Sequence, residues 1–483
     1  AAPASATAVW RKRSRGGARP FPNAAGARAD GRTRGRPDGR RGGGAGSRAA
    51  RAGGGAGNRR AGVSRSDAPA RRAVPRAARQ AAEAGAEAAL VDEARPESDL
   101  PQLVVADPLR AFQQIALKHR QNFLGKVIGI TGSAGKTSTK NLLAGMLGDR
   151  TLSTQGNLNN HLGVPLTLTR LDPAEHDFAV IEAGISAPGE MAVLAAMIDP
   201  DAAIVTLVDH AHTEGLGDLE GVAREKAFLP AAVKEQGDRV LPVKVAELPA
   251  FQVLPATRVV VSPSEVLSRP VGENEVSFLA TAQTGSTLLS VVTGSSVPET
   301  YKMSRVSEGM AQNAVLAITM ARRLGIPSEQ VQSGLTAWTP PALRGEVRQE
   351  GNRLIYLDCY YANPASMQDA LKAVAEYTQH LPARLFVLGG MEELGAESAL
   401  KHMELGEQLE LRADDAVFVV GTHATAVRAG ALSRGACELQ VKVHPDTSAL
   451  SDLVAAWEGP VFIKGSRRYR LETLIQVQPA VVG

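Results

Sequence analysis

Regular alternation of apolar and polar positions begins near Gln80. Ala81 to Ala89 carries a helical pattern leading into apolar Leu90-Val91. Leu103-Val104-Val105 predicts a short strand, and Pro108 to Asn122 an amphipathic helix. Val127 to Thr131, Phe178 to Glu182 and Ala203 to Val208 are near-continuous apolar runs of strand length, the pattern of strands buried on both faces. Asn141 to Leu147, Glu190 to Ile198 and Leu219 to Glu235 have helical periodicity. Residues 240–300 change character: Val259-Val260-Val261, Val276-Ser277-Phe278 and Leu288 to Val292 predict antiparallel strands joined by turns. A helix is predicted over Ser307 to Leu324, and Trp338-Thr339-Pro340-Pro341 reads as a domain joint.

Beyond the joint the alternation restarts. Strands are predicted at Leu354 to Leu357, Leu385 to Leu388, Ala416 to Val420 and Val461 to Ile463. Helices are predicted at Ser366 to Tyr377, Ser398 to Leu411 and Ala424 to Leu432. This order implies an α/β protein. A central domain with a mostly parallel sheet would span 108–340, and a Rossmann-like α/β domain 341–483. No internal repeat is evident.

Composition changes this picture at one end. The first 80 residues hold 20 Lys and Arg against 3 Asp, a net of +17, so the +4 of the whole chain leaves −13 for residues 81–483. They contain no Leu, Ile, Met, Tyr, Cys or Glu. Such a stretch buries too little apolar surface to offset its conformational entropy, so residues 1–79 are expected to be largely disordered. An Arg-rich targeting peptide, a nucleic-acid-binding tail and an out-of-frame translation of GC-rich DNA all fit this composition. The tail has Trp10 and Phe21 as its aromatics, which argues against stacking on single strands and against nucleic acid as a partner. A length of 483 residues suits about two to four domains. Cys359 and Cys437 make no disulfide framework, so a reducing cytosol is expected. No apolar run reaches the ~18 residues of a membrane span.

The densest chemistry lies in Ile128-Gly-Ile-Thr-Gly-Ser-Ala-Gly-Lys-Thr-Ser-Thr-Lys140, a strand, a glycine-rich turn and a helix start. A turn of this kind aims backbone N–H groups and a helix N-terminus at one point, which suits a phosphate. Lys136 adds a mobile charge for the outer phosphates, and Thr137 offers a hydroxyl to Mg²⁺. Ile130 stands where the usual spacing has its first glycine, and glycines fall at 129, 132 and 135. Further polar clusters sit at predicted strand ends or in loops, where open α/β sheets gather their sites. These are Asn157 to Asn160, Glu182, His212, Asp358 to Pro364 and Lys464 to Arg467, with Arg344 just after the joint. Lys226, in Arg224-Glu225-Lys226, reads from the residues alone as a solvated helical lysine.

Together these segments resemble the Mur ligase family. The resemblance spans residues 80–483. It rests on Gly132 to Thr137; Gly156 to Asn160 with Gly163 to Thr167; Ala211-His212 with Glu214-Gly215; Tyr360 to Pro364; Leu388-Gly389 with Met391 to Gly395; and Lys464-Gly465-Ser466. It implies a cytoplasmic, monomeric, ATP-dependent and ADP-forming ligase of peptidoglycan precursor synthesis. Such an enzyme phosphorylates the terminal carboxylate of UDP-N-acetylmuramoyl-tripeptide, and the amine of D-alanyl-D-alanine attacks the acyl phosphate.

The resemblance assigns Gly132, Ser133, Ala134, Gly135, Lys136, Thr137 and Ser138 to ATP, with Asn313 on the adenine side and Arg344 and Asp358 reaching in from the C-terminal domain. Thr137 and Glu182 would hold one Mg²⁺ and His212 a second. Lys226 aligns with a lysine that is carbamylated into a metal-binding anion. Asn157, Asn159, Asn160, Asn363, Lys464 and Ser466 would bind substrate, and Lys136, His212, Lys226 and Arg344 would carry catalysis.

Three positions depart from the family pattern: Tyr361 replaces an Asn, Gly390 an Asp, and Ser307-Glu308-Gly309 a Gly-x-His. Residues 80–107 look like the end of the family's N-terminal UDP-binding domain, whose earlier part is not recognisable in residues 1–79. A reading-frame error upstream of residue 80 accounts for both, and weak or absent UDP-substrate binding is then expected. A related ligase acting on another carboxylate, and an inactive homologue with a nucleic-acid-binding tail, are the alternatives.

Overall fold

Period-two alternation explains the central sheet. In strand β4 (Lys126–Thr131), Ile128 and Ile130 face one apolar layer while Val127 faces the other. Strands β6 (Phe178–Glu182) and β7 (Ala202–Val205) split their side chains the same way, so these strands read as unbroken apolar runs. The computed structural model describes residues 8–10, 79–254, 258–264, 273–294, 297–351 and 353–475. It divides into two units, Ala1–Ala111 and Phe112–Gly483.

The first unit holds a three-stranded sheet of β1 (Ala8–Trp10), β2 (Ala88–Val91) and β3 (Gln102–Val104), with β1 antiparallel and β3 parallel to β2. Ala89, Val91 and Leu100 form its small core. The helix expected over Ala81 to Ala89 is shorter: residues 79–83 are helical, Gly85 takes φ +84°, and the chain then turns into β2. A glycine in that conformation ends a helix whatever alanine favours. Of residues 1–79, expected to be disordered, Ala8–Trp10 instead forms β1 and Arg79 starts the short helix; the others lie outside the described residues.

The second unit contains two sheets. The larger is ordered β12-β11-β10-β9-β8-β7-β4-β6-β5, adding β5 (Thr151–Ser153), β8 (Arg239–Pro242), β9 (Arg258–Pro263), β10 (Glu275–Gln283), β11 (Ser286–Thr293) and β12 (Glu299–Ser304). It is parallel from β5 to β10, and β10-β11-β12 is an antiparallel meander. The antiparallel expectation therefore holds for 276–278 against 288–292 but not for 259–261, because β9 runs parallel to β10. The stretch 264–274 exceeds the roughly two to five residues of a hairpin loop, and local alternation carries no sign of direction. Helices Lys136–Leu147, Glu308–Arg323 and Ser328–Ala337 cover one face, and Glu190–Ile198 and Leu219–Ala231 the other.

The helix expected to run to Glu235 ends at Ala231. Buried Arg239 donates to the carbonyls of Pro230 (2.9 Å) and Val233 (2.6 Å), satisfying groups the helix end leaves open.

The second sheet is ordered β13-β14-β18-β15-β16-β17: β13 (Glu346–Glu350), β14 (Arg353–Asp358), β15 (Leu385–Gly389), β16 (Ala416–Val420), β17 (Val441–His444) and β18 (Val461–Lys464). Only β13 is antiparallel to its neighbour. Both its faces are buried, with Tyr356, Phe386 and Phe462 on one side and Ile355, Leu385 and Ile463 on the other. Both cysteines are free. No helix among the described residues is long and apolar enough to cross a membrane.

Candidate active site

The glycine-rich turn lies between β4 and the helix Lys136–Leu147, as its sequence demands. Gly132 has φ +154°, and a Cβ there would lie 2.0 Å from Thr206 Oγ1. Gly135 has φ +79°, and a Cβ would meet Asn313 Nδ2 at 2.5 Å. Both positions thus need glycine, for conformation and for close approach. Thr206 Oγ1 also donates to Ala134 O at 2.5 Å, tying the loop to the chain after β7.

Three lysines surround this loop. Lys136 Nζ donates to Gly132 O at 2.8 Å, Lys226 Nζ to the same oxygen at 3.1 Å, and Lys140 Nζ to Thr154 O at 2.5 Å. Lys226 is 1 % exposed, so the solvated-surface reading of that residue is wrong. Its helix turns residue 226 inward, and a charge run in sequence does not reveal which face is buried. Burial lowers the pKa of all three amines; Lys136 lowers Lys226 further, whereas Glu182 raises both Lys136 and Lys140.

Glu182, 1 % exposed at the end of β6, accepts from Thr137 Oγ1 at 3.0 Å and from Asn159 Nδ2 at 2.7 Å. Lys136 and Lys140 thus stand as two amines beside the Glu182 carboxylate at the phosphate loop, where positive charge suits an anion.

Groups from beyond Pro341 meet this loop. Asn363 Nδ2 points to Ser133 O at 3.5 Å while its Oδ1 caps the helix Pro364–Tyr377, accepting from Ser366 N at 2.9 Å. Ala365 N donates to Asp209 Oδ2 at 2.9 Å. Asp369 accepts from Ser307 Oγ (2.7 Å) and Gly309 N (2.8 Å) at the start of the helix that carries Asn313. His212 Nδ1 contacts Glu393 Oε2, and both residues have positive φ, 59° and 64°. The Arg344 guanidinium lies 4.0 Å over the Tyr360 ring. Lys464, fully buried, pairs with Asp358 Oδ2 at 2.5 Å.

A cavity of about 690 Å³ unites these parts. Of the residues singled out from sequence, Ser133 to Ser138, Asn157, Asn159, Asn160, Glu182, His212, Asn313, Arg344 and Asp358 line it. Asn363 and Lys464 do not line it but contact Ser133 and Asp358, which do; Gly132 immediately precedes Ser133, and Lys226 donates to the Gly132 carbonyl. Ser466 stands apart, capping the short helix Arg467–Tyr469. Asn160 spends its side-chain oxygen on Gly163 N at 2.9 Å.

Sequence reasoning gave no role to Lys140, Tyr361, Asp369 or Glu393, although all but Asp369 fall in segments it singled out. Lys140 was findable, because it lies one helical turn from Lys136 and so on the same face. The other three are set by contacts across the chain, which local pattern does not encode.

Fold and site define a P-loop α/β enzyme in which a second α/β domain faces the phosphate loop across one cavity. Residues 130–321 match the Mur ligase middle domain, and residues 343–467 match the Mur ligase, glutamate ligase domain. The chain is 33% identical over 406 residues to UDP-N-acetylmuramoyl-tripeptide--D-alanyl-D-alanine ligase of Escherichia coli K12, covering 82% of this chain and 86% of that one. It is 30% identical over 408 residues to the enzyme of the same name from Bacillus subtilis, with the same coverage. The chain belongs to the Mur ligase family. Among solved structures it resembles MurF of Acinetobacter baumannii (TM-score 0.70, 28% identity, 83% of this chain and 86% of that one). It also resembles MurF of Thermotoga maritima in complex with ADP (TM-score 0.68, 25% identity, 82% and 89%).

Proposed function

We propose that the chain is the ATP-dependent, ADP-forming ligase that joins D-alanyl-D-alanine to UDP-N-acetylmuramoyl-tripeptide, acting as a monomer in the cytoplasm. The observation that carries this reading is the cavity, where a phosphate loop faces groups of the second domain, in a chain one-third identical to such a ligase over 86% of its length.

The physical obstacle in the reaction is charge: a carboxylate must approach a triphosphate. Lys136 and Arg344 line the cavity and lower that barrier by fixed positive charge aimed at the phosphates. The carboxylate oxygen attacks the terminal phosphorus and the bond to the ADP oxygen breaks. The dipeptide amine then adds to the acyl carbon. The tetrahedral intermediate expels phosphate, which carries away one oxygen of the original carboxylate. Lys136 holds the outer phosphates, Asn313 and Arg344 the nucleotide, and the Asn157 to Asn160 loop the acyl substrate. Asp358 and Lys464 hold each other as an ion pair at the second domain's edge of the cavity, and Asn363 and Ser466 order the loops that face the incoming dipeptide.

Mg²⁺ fits the oxygen pair Thr137 Oγ1 and Glu182 Oε2, hard donors 3.0 Å apart beside the loop. Bound there it would neutralise phosphate charge. No cluster of three or more His, Cys, Asp and Glu suited to a metal occurs among the described residues. Carbamylation of Lys226, whose pKa burial holds well below its ordinary value, would add an anionic donor for a second ion held by His212.

Tripeptide labelled with ¹⁸O in its terminal carboxylate tests the acyl-phosphate route. One labelled oxygen is expected in each phosphate released; unlabelled phosphate would rule the route out.

A further inference from the structure

The hydroxyl of Tyr361 is buried and has no hydrogen-bond partner among the described residues. Tyr361 lines the cavity together with Lys136 and Arg344. Its backbone is held on both sides: Lys464 Nζ points to the Tyr361 carbonyl at 3.4 Å, and two residues on, Asn363 reaches Ser133 O of the phosphate loop. Its ring lies 6.0 Å from that of His212.

Two carboxylates act on it, Glu393 and Asp209, and each has another partner. Glu393 contacts His212, while Asp209 accepts from Ala365 N through one oxygen and faces His210 through the other. A buried O–H without an acceptor is costly unless something that enters the cavity accepts from it. Lys136 and Arg344, in the same lining, favour an anion beside the phosphate loop, and Asn363 tethers the Tyr361 segment to Ser133 of that loop.

We propose that Tyr361 is a substrate-contacting residue, whose phenol donates a hydrogen bond to an oxygen of the terminal phosphoryl group of the nucleotide. Tyr361 thereby distinguishes triphosphate from diphosphate and holds the transferred group in line for attack. This rests on the ligase reading above for the identity of the nucleotide, but on the orphaned hydroxyl for the contact itself.

The test is Tyr361→Phe, which removes one oxygen and keeps the ring. Binding of a non-hydrolysable ATP analogue and of ADP, each with Mg²⁺, is measured by calorimetry on the full chain, together with thermal melting. The expected result is a loss of about tenfold to a hundredfold for the analogue, the range for a hydrogen bond to a charged group. ADP binding should stay within about twofold, and the melting temperature should not fall, since no protein–protein hydrogen bond is removed. Unchanged analogue binding, or equal weakening of both nucleotides, overturns the proposal. So does a fall in melting temperature that accounts for the loss. Failure of the wild-type chain to bind either nucleotide would sink the ligase reading and this contact with it. Wild-type binding with no effect of Y361F would sink the contact alone.

Discussion

Gly135→Ala tests whether the phosphate loop works through backbone geometry. Two costs follow from the structure. Alanine at φ +79° sits in the left-handed region, worth about 1–2 kcal/mol for an L-residue. The new Cβ would also lie 2.5 Å from Asn313 Nδ2 and 2.8 Å from its Oδ1, so the Asn313 amide must move by roughly an ångström to restore ordinary contact. Gly325→Ala is the control, with φ +83° and nothing within 4 Å of the added Cβ. Both variants should lose about 1–2 kcal/mol in urea unfolding. Only G135A should lose nucleotide affinity, because it displaces Asn313 and tilts the loop N–H groups. Forfeiting one or two hydrogen bonds corresponds to about 1–3 kcal/mol, or roughly tenfold to a hundredfold in Kd for ADP. Calorimetric titration with ADP decides. Equal ADP affinity in wild type and G135A, or an equal loss in G325A, would refute the reasoning.

Glu182→Gln leaves one acceptor oxygen for two donors, Thr137 and Asn159. It should cost about 1–3 kcal/mol in urea unfolding and lower phosphate release about a hundredfold or more; unchanged release would remove Glu182 from the site. Burial raises the Asp369 pKa above its ordinary value despite two donors to the carboxylate. The folded state therefore favours the protonated form, and this contribution to stability is full below the unfolded pKa of 3.8 and fades as pH rises through the raised folded value. Across that window wild type should lose stability relative to Asp369→Asn in urea titrations, and the opposite slope would contradict the assignment. Because residues 1–80 contain no Leu, Ile or Met, binding of the UDP-substrate should be weak while ADP binding is intact. Affinity equal to that of a chain carrying an apolar-patterned domain there would refute this.

The elements legible in sequence are those whose local pattern and tertiary environment agree. The helix Glu190–Ile198 and the strand Phe178–Glu182 fall where their periodicity places them, because both are buried in the manner their composition implies. Edge elements were not legible. β13 reads Glu-Val-Arg-Gln-Glu and β17 Val-Lys-Val-His, too polar to stand out, and each is ordered by pairing with one neighbour. The parallel run of β9 beside β10 was missed because strand direction is a property of the connection.

In the site, the loop Gly132 to Thr137 was readable since its glycines are required by backbone conformation. Lys226 was not, because its burial depends on which face of the helix Leu219–Ala231 packs inward. The contacts of Asp369 with Ser307 and Gly309, and of Glu393 with His212, join segments 60 or more residues apart that no local rule connects.

On the proposed reading, one cavity couples ATP cleavage to formation of a peptide bond. The most direct measurement is phosphate release by the full chain with ATP, at high UDP-N-acetylmuramoyl-tripeptide concentration, with and without D-alanyl-D-alanine. Sustained release is expected only when both substrates are present, with one phosphate per peptide bond formed. Release that ignores the dipeptide, or dipeptide consumed without phosphate, would contradict it.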